Sequence, residues 1–387
     1  MRYCKFLSTF TIMLSIAFTT GCDTVELNSD VSETHAVTSS QPSHAQDSPS
    51  TPPQSANNGQ DSSSTPPPSA SNETGQSEQD EEFITINGVQ YEIALTRLIL
   101  DDLGLSDESI IPLRLMTNLT ELSLYGNRIS DISPLSELSN LKRLSIGSNL
   151  ITDISALSSL THLEELWLDS NPITDISPLS ELINLSQLSF WATHIHDISP
   201  LSNLVNLTWL ELGGNALSDI SSLMGLTKLA RLGLSYNNIS DISPLADLSN
   251  LTNLSLGSNS ISDITPLSNL TELINLSLYE NHVNDLSPLA RLTKLEKLYL
   301  CRNDVSDISV LVNHTHLVVL SLFDNHILDI TPLSNLVNLE DLNLLGNDIK
   351  DISALSNIKS TARLNLLANP IIDWSPVAHV DDVLGRP

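Results

Sequence analysis

The apolar and polar positions of this chain repeat every 22 residues from Leu119 to Val377. Each repeat is written LxxLxLxxNxIxDIxPLxxL, so alternate leucines such as Leu122 and Leu124 are followed by an asparagine and then an aspartate. Alternation of apolar and polar residues over so few positions predicts a short strand with one buried face. A fixed period of this length predicts a solenoid, in which each repeat packs against its two neighbours and function lies on a surface.

Two polar positions of the repeat predict how its turns are held. The asparagine is present in eleven of twelve repeats, with Thr193 as the exception, and the aspartate is present in all twelve. We expect the asparagine side chains to hydrogen-bond backbone groups that are buried in the turns. Ser or Thr followed by Pro, as in Ser133-Pro134, predicts an N-cap and the first residue of a short 3₁₀ turn. The predicted fold is an α/β solenoid, a horseshoe with a parallel β-sheet on its concave face and short 3₁₀ turns on its convex side.

The residues before the array predict export and attachment to a membrane. Residues 1–21 have a basic start, an apolar core too short to span a bilayer well, and small residues before Cys22. This order is similar to the signal peptide of bacterial lipoproteins, in which the cysteine is lipidated and becomes the first residue. Cys22 is therefore the predicted lipidation site, and its lipid is the only predicted membrane attachment. The alternative is an ordinary signal peptide with a coincidental cysteine.

Composition divides the rest of the chain into four parts. Residues 22–82 are rich in Ser, Pro and acids and hold no Lys or Arg, which predicts a disordered acidic tether. Residues 83–118 predict an N-terminal cap with a degenerate repeat, residues 119–380 the array of twelve repeats, and residues 381–387 a C-terminal tail. The formal net charge of −29 disfavours nucleic acid and anionic lipid as partners, because phosphate binding needs clustered cations.

The DIxPL signature and the 22-residue period, which run from about Leu95 to Val377, resemble those of the internalins and related bacterial surface leucine-rich-repeat proteins. The resemblance implies a leucine-rich-repeat fold whose concave sheet binds a protein at the cell surface. A role in host invasion does not follow from it, because we recognise no cell-wall sorting signal and no immunoglobulin-like domain after the repeats.

Large aromatic side chains lie at strand positions predicted to face outward on the concave side. Trp167, Trp191 and Trp209 occupy three consecutive repeats, and three acids lie around them: Glu165, Asp169 and Glu211. Folding does not require large aromatics on a solvent-facing sheet, whereas binding hot spots are rich in Trp and Tyr. Because adjacent strands are about 4.8 Å apart, we predict that the three indoles form one ligand-binding patch. The alternative is cross-strand packing that only stiffens the sheet.

A second predicted patch follows an apolar column in the later repeats: Tyr279, Cys301, Phe323, Leu345 and Leu367. Tyr299 and Arg302 lie beside this column, and Tyr236 is a further aromatic residue that faces outward. An exposed apolar strip of this size indicates a binding partner, a contact between copies of the chain, or a covering segment. The sequence leaves these alternatives open.

Together these features predict a binding module rather than an enzyme. The sequence contains no GxSxG, HExxH, P-loop or Rossmann fingerprint, and we expect neither a cofactor nor a metal site. The leading prediction is protein binding or adhesion at the cell surface through the concave face. The alternatives are a glycan ligand, favoured by aromatic side chains with acidic neighbours, and a structural envelope component without a diffusible ligand.

Overall fold

In the computed structural model residues 82–387 are described, and they contain two sheets. The first is an antiparallel hairpin of β1 and β2, in which Phe83 pairs with Glu92. The second has 14 parallel strands, β3 to β16, that neighbour each other in sequence order. The strand bounds are β1 Phe83–Ile86, β2 Val89–Glu92, β3 Arg97–Ile99, β4 Glu121–Ser123, β5 Arg143–Ser145, β6 Glu165–Trp167, β7 Gln187–Ser189, β8 Trp209–Glu211, β9 Arg231–Gly233, β10 Asn253–Ser255, β11 Asn275–Ser277, β12 Lys297–Tyr299, β13 Val319–Ser321, β14 Asp341–Asn343, β15 Arg363–Asn365 and β16 Asp382–Leu384.

Equivalent residues of successive repeats lie side by side in the parallel sheet. Leu122 pairs with Leu144, and Leu144 pairs with Leu166. These central leucines point into the core, so the first and third residues of each strand point to the opposite, concave face. Because the register joins identical repeat positions, each outward position forms a straight column across the strands. The predicted solenoid with a parallel sheet is confirmed.

Short 3₁₀ segments on the side opposite the sheet connect the strands, as the sequence predicts. One four-residue α-helix, α1 (Asp107–Ile110), precedes the first of them. The 3₁₀ segments are Ile111–Leu115, Ser133–Glu137, Ser155–Ser159, Ser177–Leu179, Ser199–Asn203, Ser221–Leu223, Ser243–Leu245, Thr265–Asn269, Ser287–Arg291, Ser309–Asn313, Thr331–Asn335, Ser353–Leu355 and Ser375–Val377.

The repeat aspartate, rather than the predicted Ser or Thr, caps each of the twelve turns in the array. Oδ1 of Asp131 accepts the backbone N–H of Ser133 at 2.8 Å, and the last repeat has the same bond from Ser375 to Asp373 at 2.9 Å. Ser133 is already the first residue of its 3₁₀ segment, so its hydroxyl does not cap the turn. The predicted capping residue is wrong because an aspartate readily accepts the N–H two residues later. This hydrogen bond lowers the pKa of carboxyls such as that of Asp241.

The repeat asparagines join neighbouring repeats through buried hydrogen bonds. Nδ2 of Asn149 donates to the carbonyl oxygens of Leu124 and Ile146, both at 3.0 Å. Its Oδ1 accepts the N–H of Ile129 in the preceding repeat at 3.1 Å. The prediction that these amides satisfy buried backbone groups of the turns is confirmed.

One continuous core of leucine and isoleucine side chains fills the space between the sheet and the 3₁₀ segments. Trp374, which the sequence predicts to be a core residue, is half-buried and packs against this core. His314 is fully buried at a position that Leu292 and Leu336 occupy in the adjacent repeats. Its Nε2 lies 3.1 Å from the carbonyl oxygen of Leu289, and burial lowers the pKa of its imidazole.

The C-terminal residues differ from their prediction. The predicted tail, 381–387, contains β16, whose Asp382 is in register with Arg363 of β15, so these residues extend the sheet. The predicted signal peptide, the lipidation at Cys22 and nearly all of the predicted tether lie outside the described residues. Within residues 82–387 no helix has the length and the apolar composition needed to cross a bilayer.

Candidate functional site

The concave face carries three groups of side chains that lie outside the main core. We call them the ionic ladder, the aromatic run and the apolar cluster. Their members are, in that order, Arg97, Glu121, Arg143 and Glu165; Trp191, Tyr236 and Tyr279; and Tyr279, Tyr299, Cys301 and Phe323.

Alternating charges form the ionic ladder across β3 to β6. Nε of Arg97 lies 2.9 Å from Oε1 of Glu121, and Nε of Arg143 lies 3.2 Å from Oε1 of Glu165. The ladder and Trp167 line a cleft of about 350 Å³. Because exposed ion pairs contribute only about 0–1 kcal/mol each to stability, the main effect of the ladder is to balance charge on this part of the face.

Asp169 is held by residues of the following repeat. Its Oδ1 accepts the backbone N–H of Trp191 at 2.7 Å and the hydroxyl of Ser189. Asp101 makes the equivalent two contacts with the first full repeat. Burial raises the pKa of both carboxyls, because desolvation outweighs these hydrogen bonds. Sequence analysis identified Asp169 but missed this repeated arrangement, since Asp101 lies in the degenerate repeat.

Glu211 is a buried carboxyl near Asp169. Its Oε1 accepts the N–H of Gly213 at 2.9 Å, and its side chain covers Gly233 on the next strand, where a Cβ would overlap it. Burial, with a smaller contribution from the charge of Asp169, raises the pKa of Glu211 to about 7. The charge on this part of the face therefore changes near neutral pH.

Tyr236 joins Trp191 to Tyr279 in the aromatic run. Its ring centroid lies 6.0 Å from that of Trp191, at an interplanar angle of 87°, and 6.0 Å from that of Tyr279, at 64°. A Cβ at Gly213 would overlap the Trp191 ring, and one at Gly257 would overlap the Tyr279 ring. The two glycines thus leave space on the sheet for large rings from neighbouring repeats.

The three indoles that are predicted to form one patch lie in different columns of the concave face. Trp167 belongs to β6 and Trp209 to β8, and they lie in different columns with β7 between them. Trp191 has a ring contact with Tyr236. That the three indoles form one ligand-binding patch stays a prediction. Trp167 is 8% exposed, whereas Trp191 and Trp209 are half-buried.

The apolar cluster is buried rather than exposed as the sequence predicts. Tyr279 and Phe323 are each 2% exposed, and Val319 and Leu345 pack against the cluster. Leu367, which the sequence places in the same strip, is half-buried and lies outside the cluster. The prediction of an open apolar strip is wrong because large side chains in one column also pack on their neighbours in the next repeats.

Charged residues border the apolar cluster. Arg302 contacts the Glu280 carboxylate, and its Nε lies 3.6 Å from Oδ2 of Asp324. Its guanidinium carbon lies 5.4 Å from the centre of the Phe323 ring, which is close enough for a cation–π interaction. Arg302 is exposed, so it presents the cluster's charged edge to solvent.

One repeat position combines a left-handed backbone with a large polar side chain in four repeats. The residues at this position, each with φ between 51° and 58°, are Tyr236, Glu280, Arg302 and Asp324. Three other repeats place glycine there, as at Gly214, where φ is 67°, and the remaining five place serine or alanine, also with a positive φ. A left-handed backbone costs a residue with a Cβ roughly 1–2 kcal/mol relative to glycine. The backbone at this position therefore favours glycine, and four repeats carry a large polar side chain there instead.

Histidines on the loops do not form a metal site. Nδ1 of His282 lies 4.0 Å from Oδ2 of Asp304, and both side chains are exposed. Across residues 82–387 no group of three His, Cys, Asp or Glu side chains is arranged to hold a metal ion.

Comparison with known proteins relates the chain to one repeat family. The family profile described as Leucine Rich repeats (2 copies) matches residues 117–159, 139–181, 161–203, 227–269 and 315–357. The internalin InlF of Listeria monocytogenes is 38% identical, with a TM-score of 0.73, over 76% of this chain and 89% of InlF. The comparison with curated protein sequences gives no match.

Two further solved structures share the fold at lower identity. A leucine-rich-repeat protein of Leptospira interrogans is 23% identical, with a TM-score of 0.70, over 76% of this chain and 79% of that protein. The plant peptide hormone receptor RGFR1, solved in complex with RGF2, is 21% identical, with a TM-score of 0.63, over 75% of this chain and 52% of the receptor. At these identities the likeness establishes the fold alone.

Proposed function

Because the chain belongs to the internalin family of leucine-rich-repeat proteins, we propose that it binds a protein partner through the concave face of its sheet. Leucine-rich-repeat solenoids are binding scaffolds, and the fold occurs in a receptor solved with its peptide hormone RGF2. Recognition at the surface of a cell is the setting we propose for this chain.

The proposal rests mainly on the repeat position whose backbone is left-handed, with a positive φ. Tyr236, Glu280, Arg302 and Asp324 occupy it, although glycine would relieve the backbone there. The left-handed backbone recurs at this position in all twelve repeats, whereas the large polar side chains are confined to these four. Tyr236 and Arg302 are both exposed, and Tyr and Arg are among the residues enriched in binding hot spots.

The aromatic run and the ionic ladder support the same face. Trp191 and Tyr236 offer rigid aromatic surface that is held in place by edge-to-face packing. The half-buried Trp209 and Glu165 are additional contact candidates. Trp167, Glu211, Tyr279, Tyr299 and Phe323 are buried, so their proposed role is to support the exposed contacts.

Export and lipid attachment complete the proposal. Cys22, at the end of an apolar N-terminal segment, would carry the lipid, and the acidic residues 22–82 would tether the repeats to the membrane. Metabolic labelling with a fatty-acid analogue tests this, with Cys22→Ala as the control. Equal labelling of both chains would contradict attachment at Cys22.

Capture of a cell-surface protein tests the binding role. The full chain is cross-linked to the surfaces of source and neighbouring cells and compared with the double variant Tyr236→Gly, Arg302→Gly. Glycine suits the left-handed backbone, so this variant removes two exposed side chains while relieving backbone strain. The matched control is Ser170→Gly, Ala368→Gly, which makes the same backbone change at the same repeat position without removing a large side chain.

We expect the control to capture the same protein as the unmodified chain and the Tyr236, Arg302 variant to lose it. Equal capture by all three chains would place binding elsewhere. Loss of capture on adding soluble glycans would favour the glycan alternative, which the exposed Tyr236 ring would serve by stacking. A structural envelope role predicts no specific capture by any of them.

A further inference from the structure

The first residue of each strand forms one column that crosses the whole concave sheet. Its two ends carry paired charges: the ionic ladder at β3 to β6, and Arg363 at β15, which lies 3.2 Å from Asp341 and 3.8 Å from Asp382. Its middle, from Gln187 on β7 to Val319 on β13, contains no Asp or Glu. The charge pattern of the column therefore changes at its centre.

Four residues in the middle of this column form what we call the central strip: Arg231, Asn253, Asn275 and Lys297. They lie on the adjacent strands β9 to β12 and are in register with one another. Arg231 and Lys297 are exposed, and the two asparagines between them are half-buried. Within residues 82–387 neither cation is within 4.0 Å of a carboxylate oxygen, unlike Arg97, Arg143, Arg302 and Arg363 on the same face.

We propose that the central strip binds an extended acidic segment of the protein partner, with two carboxylates four residues apart. This inference rests on the proposed function and specifies the chemistry of its ligand. Arg231 and Lys297 would each bind one carboxylate, and the half-buried amides of Asn253 and Asn275 would bond the ligand backbone between them. Both cations are exposed on the concave face of a chain whose formal net charge is −29, so an acidic ligand segment would meet complementary charge there.

The spacing follows from the geometry of the sheet. Arg231 and Lys297 are three strands apart, which at about 4.8 Å per strand separates their backbones by roughly 14 Å. An extended ligand crossing the strands advances about 3.3 Å per residue, so residues four apart are separated by roughly 13 Å and face the same way. Adjacent glutamates of an extended ligand point to opposite sides, so only one of them would face the sheet.

Defined peptides test the inference on the full chain. The probe is a fluorescent peptide of otherwise neutral polar residues with two glutamates four residues apart, measured by fluorescence anisotropy at low salt. One comparison peptide carries the same two glutamates side by side, and a second carries glutamines. The strip variant is Arg231→Gln, Lys297→Gln, whose two side chains are exposed.

The matched control variant is Lys228→Gln, Lys294→Gln. It makes the same charge change three residues earlier in the same two repeats, where Lys228 hydrogen-bonds Asn206 and Lys294 pairs with Glu272. Circular dichroism and thermal unfolding of each chain establish that both variants retain the fold.

We expect the strip variant to bind the spaced peptide at least about tenfold more weakly than the unmodified chain, because both charge-assisted contacts are removed. The control should change affinity less than about threefold, because exposed charges act weakly at a distance. The adjacent-glutamate peptide should bind several-fold more weakly than the spaced one.

Equal affinity of the strip variant and the unmodified chain would overturn the inference, as would equal affinity for the two glutamate spacings. Absence of binding to the unmodified chain would overturn it as well. The proposed function would then still stand if capture of a surface protein remained sensitive to the Tyr236 and Arg302 substitutions, so the two failures are distinguishable.

Discussion

The hydroxyl of Thr193 donates to Oδ1 of Asn215 at 2.9 Å, in the repeat that lacks the recurring asparagine. In the regular repeats this Oδ1 accepts a backbone N–H of the preceding repeat, as Asn149 does from Ile129. Thr193 offers no amide of its own, and the N–H of Ile173 turns to the carbonyl oxygen of Asn171 instead. The hydrogen bonding by which this side chain joins its repeat to the preceding one is therefore weaker beside Trp191.

Thr193→Asn should restore the side-chain hydrogen bond to the preceding repeat and stabilise the array. An additional buried hydrogen bond contributes about 1 kcal/mol, so we expect Tm to rise by about 2 °C. Thermal unfolding measures the shift. Asn149→Thr is the reverse change in a regular repeat and should lower Tm. A rise of Tm in both variants would contradict a stabilising role of the repeat asparagines.

His314→Leu should stabilise the protein, most strongly in mild acid. Burial lowers the folded-state pKa of His314 below its ordinary value of 6.5. The unfolded chain therefore binds a proton first as the pH falls below 6.5, and stability is lost in that direction. Leucine fits because the adjacent repeats have Leu292 and Leu336 there. Urea unfolding at pH 5 and pH 8 should give a larger gain at pH 5; equal gains would rule out the linkage.

Glu211→Gln should remove a loss of stability that develops as the pH rises. The pKa of Glu211 is raised from 4.5 to about 7 in the folded protein. The contribution of Glu211 to the free energy of unfolding is therefore fully present below pH 4.5. This contribution, up to about 3 kcal/mol, is lost as the pH rises through 7. The difference in unfolding free energy between variant and unmodified chain should grow from pH 4.5 to pH 7.5. A difference that stays constant with pH would show that Glu211 is not desolvated.

Gly257→Ala should destabilise the aromatic run. The added Cβ would overlap the Tyr279 ring, and such overpacking typically costs about 1–3 kcal/mol. Gly225→Ala is the matched control, since a Cβ at Gly225 meets no atom within 4 Å. Thermal unfolding and near-ultraviolet circular dichroism report stability and ring packing. No difference between the two variants would mean that the ring moves aside freely.

The repeat pattern was sufficient to predict the main architecture. Identical repeat positions align in register, so Leu122 alone indicates where its eleven equivalents lie. The capping atom was not predictable in the same way, because Asp131 and Ser133 are both common capping residues and only geometry distinguishes them. The strand at Asp382–Leu384 was missed because its sequence no longer matches the repeat.

The site was predicted less completely, because its packing depends on contacts between repeats. The sequence identified Trp191, Tyr236 and Tyr279 as outward-facing, but not that Tyr236 lies between the other two rings. Sequence analysis also missed the meaning of Gly213. The Trp191 ring covers this residue and leaves no space for a Cβ. Pairing each large residue with a glycine one repeat away is a signal that sequence analysis could use.

Photo-crosslinking from Tyr236 tests the central claim most directly. The full chain would carry a photoreactive phenylalanine analogue at Tyr236 or, as a control, at Met224, an exposed residue that directly follows a 3₁₀ segment on the convex side. Each chain is irradiated on the surface of source and neighbouring cells. Binding through the concave face predicts a discrete adduct with one protein from position 236 and none from position 224. An adduct from position 224 but not from position 236 would contradict it.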